Sequence, residues 1–432
     1  MCGDAWAKEP ARGSCERVCA QPRLLGMKVL IADKLAAAGL ERMRERGYEL
    51  VVEPGLKADA LPAALTEHQP DALVVRSTKV SAEAIAAATK LKLIVRAGAG
   101  YDTIDLAAAS HAGVFIANCP GKNAIAVAEL TWALILACDR RVAEQTAQLR
   151  DGQWDKKGFA KARGVFGRTL GVIGAGTIGR EVIARAKAFG TPVIAWSRNL
   201  DDAKAAELGV RRAGSPLEVA READILTLHV ASKPETKGLV NDEVIDALKE
   251  GSFVINTTRG AVVDEAALLR GLNDKGLRAG LDVYANEPGS GDKSFESELA
   301  KHPSVVGTHH IGASTDQAQD ATAVEAARIV EVFAETGQVD NCVNLADTSE
   351  ARCMLIVRHR NKPGVLAHVF MRLSQAGINV EEMENILYAG GATACARIRL
   401  SRAPSEADIK AIAGGNEHIL SVEHNELAAE DV

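Results

Sequence analysis

At 432 residues the chain is too long for one ordinary domain and long enough for two or three, each with a substantial core. A hydrophobic content of 47%, a charged content of 25% and a net charge of -6 describe a globular protein whose main partner is neither a nucleic acid nor an anionic membrane, so any anionic ligand should be small and held in a local basic pocket. The 8 cysteines show neither metal-ligand spacing nor a dense framework, and predict reduced thiols, a cytoplasmic location and no metal site.

Residues 1–26 contain three of those cysteines together with Asp4, Glu9 and Glu16. They lack the apolar core of a signal peptide, and are expected to be a disordered extension or to precede the true start. From Met27 to about Asn118, short β-branched runs (KVLIAD, ALVVRS, LKLIVRAG, VFIAN) alternate with alanine-rich helical stretches, the pattern of a parallel sheet with helices on both faces. The most apolar run, Val127 to Cys138, is too short and too interrupted to span a bilayer and predicts a buried helix. A second α/β series opens at Thr169, with TLGVIG, TPVIAW, ADILTLHV, SFVINTT and RAGLDVYA as strands. A helix is predicted over 316–336, closed by Gly337, and a polar linker follows. Beyond it the order strand (CMLIVRH), helix, strand, YAGG turn, strand, helix, strand (ILSVEH) predicts a ferredoxin-like βαββαβ module. The first of its helices carries Leu366, Val369, Phe370 and Leu373 on one face.

The stretch TLGVIGAGTIG places Gly174, Gly176 and Gly179 after a strand and at the start of a helix. Glycines there allow a tight turn and let backbone N–H groups approach a pyrophosphate at the positive helix end, which predicts a dinucleotide site. Arg259, Asp282, Glu287 and His310 stand at the carboxyl ends of later strands, where open α/β sheets bind ligands. Singly, each has a plainer reading: a surface ion pair, a turn residue, a solvated acid, a hydrogen-bonded loop histidine.

Together GVIGAGTIG, PETKGLV, NTTRGAVVDEAAL, GLDVYANEP and HIGAST resemble the D-isomer-specific 2-hydroxyacid dehydrogenase family, from Met27 to about Leu345, with a regulatory ACT domain beyond. The resemblance implies a substrate-binding domain over 27–124 and 311–345, a dinucleotide-binding domain over 125–310 and an ACT domain over 346–432. It assigns His310 as acid–base and Glu287 as its partner, a role that suits an imidazole working in both directions. It makes Arg259 the holder of the substrate carboxylate. Thr177, Ile178, Thr257 and Asp282 would border the cofactor, Asp282 near the nicotinamide carboxamide. The backbone of Ala97, Gly98 and Ala99 and the side chain of Asn123 would meet the substrate. His309, where the family usually has proline, and His229 are expected to pack or to face solvent.

Arg76 and Arg96 match the family's phosphate-binding arginines, and an apolar hydroxy acid would give buried cations no partner. The expected reaction is therefore oxidation of 3-phospho-D-glycerate to 3-phosphooxypyruvate, the first step of phosphorylated L-serine biosynthesis. The alternatives are a glyoxylate or hydroxypyruvate reductase and a corepressor-like, nucleotide-sensing interaction protein. Family members specific for NAD end the second strand of the nucleotide fold with an acid. Here Ser197 and Arg198 stand instead, so the cofactor is NAD or NADP with a lean toward NADP. The resemblance also implies a homo-oligomer formed through Val127–Cys138 and the segment around Trp154. His359, Asn361 and Asn379 stand where related ACT domains bind an amino acid, here L-serine.

Overall fold

The computed structural model describes residues 26–288, 294–346 and 349–427. The expectation for residues 1–26 therefore lies almost wholly outside the described residues. Residues up to Asn344 form one compact unit and those from Leu345 a second.

The first unit holds two parallel sheets. Strands β1 (Lys28–Ile31), β2 (Glu49–Val52), β3 (Ala72–Val75), β4 (Leu93–Arg96) and β5 (Phe115–Asn118) pair in the order β2-β1-β3-β4-β5. One face buries Val29, Ile31, Val74 and Val95 against the helix Asp316–Thr336. The other buries Leu30, Leu73 and Ile94 beneath Leu61, Leu65 and Ile85. Residues consecutive in sequence thus bury on opposite faces, as a sheet covered on both sides requires. The long helix returns to the first sheet after the whole second series, and Glu331 locks it there by accepting both Nε–H and Nη2–H of Arg42, at 2.7 and 2.8 Å.

Strands β6 (Leu170–Ile173), β7 (Val193–Trp196), β8 (Arg211–Arg212), β9 (Ile225–Leu228), β10 (Phe253–Asn256), β11 (Arg278–Leu281) and β12 (Val305–Gly307) pair in the order β12-β11-β10-β9-β6-β7-β8. Strand order reverses between β6 and β9, the point at which a doubly wound sheet leaves a crevice for a ligand. Helices Ala124–Arg140 and Thr177–Ala188 cover one face through Trp132, Ile135, Val182 and Ile183. The run Val127 to Cys138 is the buried core of the first of these helices. Most of its apolar side chains are therefore used within the chain, although it was expected to serve an interface between copies.

The second unit is the antiparallel sheet of β13 (Cys353–Arg360), β14 (Val380–Leu387), β15 (Thr393–Leu400) and β16 (Ile419–Glu426), ordered β14-β15-β13-β16. Two helices cover one face through Val369, Leu373 and Ile412, giving the ferredoxin-like arrangement. Among the described residues no helix is long and apolar enough to cross a membrane.

Candidate active site

The carboxyl ends of β1, β3 and β4 open on a cavity of about 300 Å³ lined by Lys34, Arg76, Arg96, Gly98, Asn123 and His310, among others. Strand ends meet here because all five strands run parallel. Asp33, one residue beyond Ala32 at the end of β1, shapes this wall. Its Oδ2 accepts the backbone N–H of Arg76, Ser77 and Thr78 at 2.7, 3.1 and 3.0 Å, and its Oδ1 accepts the Ser77 hydroxyl at 2.7 Å. Burial would raise the Asp33 carboxyl, but these donors outweigh it and hold the group below its ordinary value. The turn after β3 is thereby fixed, and the Arg76 Nη1 reaches Gln319 Oε1 at 3.1 Å.

Arg96 ends β4 and lies folded over the next loop, where a Cβ on Gly98 would sit 1.6 Å from its Nη1. Its Nε is buried without a hydrogen-bond partner, as is Oδ1 of Asn123. Burial lowers its readiness to stay charged, the charges of Arg259 and Arg76 add to this, and Asp102 opposes it. Lys34 is exposed and has no ion-pair or hydrogen-bond partner among the described residues. An anion entering the cavity would meet three cations that repel one another in its absence.

His310 stands at φ +54°, a conformation that costs a non-glycine residue energy and is held by its surroundings. Asp282, 1% exposed, does the holding. Its backbone carbonyl accepts the His310 N–H at 2.8 Å. Its carboxylate accepts the Thr308 hydroxyl at 2.6 Å and the N–H groups of Ile311 and Gly312 at 2.8 and 2.9 Å. With both oxygens engaged and almost no exposed surface, Asp282 pins the turn that carries His310. The Nδ1 of His310 lies 2.6 Å from Glu287 Oε2, and Glu287 Oε1 accepts the Tyr284 N–H at 3.0 Å. Burial would raise the Glu287 carboxyl, yet His310, the Tyr284 N–H and the Arg259 charge hold it below its ordinary value. Arg259, three residues past β10, donates to Asp102 and to the Thr258 carbonyl.

The glycine turn has the form a pyrophosphate needs. Gly174 takes φ +102°, and a Cβ there would lie 2.3 Å from the His229 carbonyl oxygen. Around Gly176 there is open space, and the first intrahelical bond is Arg180 N–H to the Gly176 carbonyl. The N–H groups of Thr177, Ile178 and Gly179 therefore belong to the free first turn, and Gly176 and Thr177 are exposed. Beside this turn, burial pushes the His229 imidazole down to about 3, so it is neutral. Its Nε2 pairs with the Thr227 hydroxyl at 2.9 Å, and its Nδ1 is buried without a partner. Ser197 is partly buried at the end of β7. Arg198 is exposed, with no side-chain partner among the described residues. Thr257 is buried, its hydroxyl 3.2 Å from that of Thr131. These residues fit a dinucleotide.

His309 is exposed. In the second unit the three expected ligand residues do not meet. His359 and Asn361 lie where β13 ends beside the start of β15, whereas Asn379 precedes β14 at the far end of β15, roughly 25 Å away for strands of this length. His359 is 2% exposed, with Nδ1 on the Arg360 carbonyl and Nε2 on Asn385 Oδ1. The sequence reading missed Asp33, Lys34, Asp102 and Gln319. Asp33 and Lys34 follow strand KVLI directly, so the strand-end rule applied to β1 would have found them. Gln319 reaches the cavity from a helix distant in sequence, and no local signal marks it.

A sequence model described as the D-isomer-specific 2-hydroxyacid dehydrogenase NAD-binding domain matches residues 132–312. The chain is 35% identical over 366 residues to the D-3-phosphoglycerate dehydrogenase of Methanocaldococcus jannaschii, covering 84% of this chain and 68% of that one. It is 40% identical over 319 residues to the enzyme of the same name from Mycobacterium tuberculosis, covering 73% of this chain and 58% of that one. Both relatives are thus considerably longer than the part matched. Among solved structures, the NAD+-bound 3-phosphoglycerate dehydrogenase of Entamoeba histolytica matches with a TM-score of 0.62 at 26% identity, over 74% of this chain and 99% of that one. The NADPH-dependent glyoxylate/hydroxypyruvate reductase of Sinorhizobium meliloti, in complex with NADP and malonate, matches with a TM-score of 0.64 at 27% identity, over 73% of this chain and 96% of that one.

Proposed function

The chain belongs to the D-isomer-specific 2-hydroxyacid dehydrogenase family, and on that premise we propose that it oxidises 3-phospho-D-glycerate to 3-phosphooxypyruvate with a nicotinamide dinucleotide, the first step of phosphorylated L-serine biosynthesis. The observation that carries this reading is the gathering of Lys34, Arg76 and Arg96 around one cavity with His310. A substrate with a carboxylate at one end and a phosphate at the other supplies the negative charge that three clustered cations require.

The turn from Gly174 to Gly179 would hold the pyrophosphate and Ser197 and Arg198 the adenosine ribose of a dinucleotide, which when bound would supply the acceptor for the hydride lost from C2. Arg259 takes the substrate carboxylate and polarises the C2 oxygen as it becomes a carbonyl. His310 takes the hydroxyl proton on Nε2, since Nδ1–H is committed to Glu287. The Glu287 carboxylate then offsets the imidazolium charge. In the reducing direction the same proton returns from Nε2.

The second reading is a glyoxylate or hydroxypyruvate reductase, favoured by the likeness to the Sinorhizobium reductase. It supplies a carboxylate for Arg259 but no second anionic group for the three cations. Turnover of phosphoglycerate, glyoxylate and 2-oxoglutarate, each with NAD(H) and NADP(H), separates the readings. Phosphoglycerate should lead by about tenfold or more in kcat/KM, and a preference for glyoxylate would replace this proposal with the second. Absence of turnover with all three would favour an interaction role instead.

Three further statements complete the proposal. The protein is a homo-oligomer, the candidate surface being the exposed side chains of Val142, Leu149, Trp154 and Phe166. L-serine binds the C-terminal module, where the exposed candidates to hold it are Asn361 and Asn379 at opposite ends of the sheet, His359 being buried with both ring nitrogens paired. Calorimetry of the full chain tests this, and no heat at millimolar serine removes it. The location is the cytoplasm, where the thiols of Cys119, Cys138, Cys342, Cys353 and Cys395, all free, remain reduced.

A further inference from the structure

Asp102 and Arg259 lie 157 residues apart, one in the loop after β4 and the other in the loop after β10, yet their side chains meet across the two sheets. Arg259 Nε donates to Asp102 Oδ2 at 3.2 Å and Nη2 to Oδ1 at 3.3 Å, while Nη1 donates to the Thr258 carbonyl at 2.8 Å. A guanidinium has five N–H bonds. Three are engaged, which leaves one on each terminal nitrogen, the number a carboxylate takes in a two-point contact. We infer that Asp102 is a positioning residue, fixing the Arg259 guanidinium in the orientation that receives the substrate carboxylate. This rests on the proposal that Arg259 holds that carboxylate.

Two observations argue that the contact serves orientation. Asp102 is 58% exposed and Arg259 29% exposed at the side chain, and ion pairs in such settings add little to folding stability. The approach is nonetheless built for: a Cβ on Gly100 would lie 2.2 Å from Arg259 Nη2 and 3.0 Å from Asp102 Oδ1. The chain therefore leaves room beside a pair whose stabilising effect is small. Arginine has a long, flexible stem, and ordering it before the substrate arrives removes an entropic cost from binding. Asp102 also supplies the negative charge that offsets Arg259 beside Arg96 and Arg76. Without it Arg259 would be repelled from the cavity at the stage when substrate enters.

The test is Asp102→Asn in the full chain, with Asp102→Glu as the conservative variant. Asn keeps the shape but removes the charge and presents an N–H₂ group to one guanidinium nitrogen. The expected result is a rise in KM for phosphoglycerate of about tenfold with kcat changed much less. The NADH dissociation constant, read by fluorescence, and the melting temperature should stay at wild-type values, and Glu should recover part of the KM. Unchanged KM in Asp102→Asn, or a KM change accompanied by weakened NADH binding and a lowered melting temperature in both variants, overturns the inference. Failure of the wild type to turn over phosphoglycerate would instead remove the reading of the substrate, which separates the two.

Discussion

The imidazole of His310 and the carboxylate of Glu287 meet at 2.6 Å through Nδ1 and Oε2, although the two residues leave different strands of the second sheet. Glu287 is itself held by the Tyr284 N–H, and the backbone turn of His310 by Asp282. The pair is therefore set from both sides before any substrate arrives, which is the arrangement an acid–base group requires.

Its removal has a directional consequence with pH. The Glu287 carboxyl is held below its ordinary value, so the paired arrangement is fully present above the ordinary carboxylate range and is lost as pH falls through the lowered value. Glu287→Gln removes the carboxylate that makes this pairing depend on pH. The acid limb of kcat/KM should therefore be weaker or absent in Glu287→Gln, and His310→Ala should lose about a hundredfold or more of kcat at every pH. Superimposable profiles for wild type and Glu287→Gln would contradict this.

The cation cluster predicts a selective effect. Lys34→Ala should raise KM for phosphoglycerate by about tenfold, the worth of one charge-assisted contact, and leave KM for unphosphorylated hydroxypyruvate unchanged. Asp33→Ala, which frees the turn carrying Arg76, should do the same through Arg76. Equal losses on both substrates would show that Lys34 acts on something other than phosphate.

Cofactor choice follows from the end of β7. With Ser197 in place of an acid and Arg198 exposed, both NAD(H) and NADP(H) should be used, NADP(H) at least as well. Ser197→Asp should lower kcat/KM for NADP(H) by about tenfold or more through repulsion of the 2′-phosphate. If the wild type uses NADP(H) very poorly and the aspartate changes nothing, Ser197 does not govern the choice.

The exposed aromatic side chains predict association. Trp154 is 81% and Phe166 84% exposed, large apolar surface of the kind that marks an interface. Light scattering at micromolar concentration should show at least a dimer, and Trp154→Glu with Phe166→Glu should give a smaller species that still binds NADH. A wild-type monomer would refute the oligomer.

Much of the architecture could be read from the chain because its signals are local. The alternation of KVLI, ALVV and LIVR with alanine-rich segments identifies the first parallel sheet and the series from Thr169 the second, and Gly337, at φ +73°, ends its helix where expected. The strands that the sequence pattern did not delimit were β2, β8 and β12, the last implied only by the position of His310. These are edge strands of four, two and three residues, and an edge, packed on fewer sides, needs no long apolar run.

By itself the sequence determined which residues stand at strand ends, because strand periodicity and the glycine turn are properties of short stretches. It thereby named His310, Glu287 and Arg259 as candidates, and the family resemblance added Arg76 and Arg96. Only the tertiary structure decided which of these ends face one another. Sheet order and the return of the helix Asp316–Thr336 bring Gln319 to Arg76 and Asp102 to Arg259, and strand direction keeps Asn379 from His359. The pairing of side chains 157 and 243 residues apart follows from how the layers pack, and no local pattern encodes a distance.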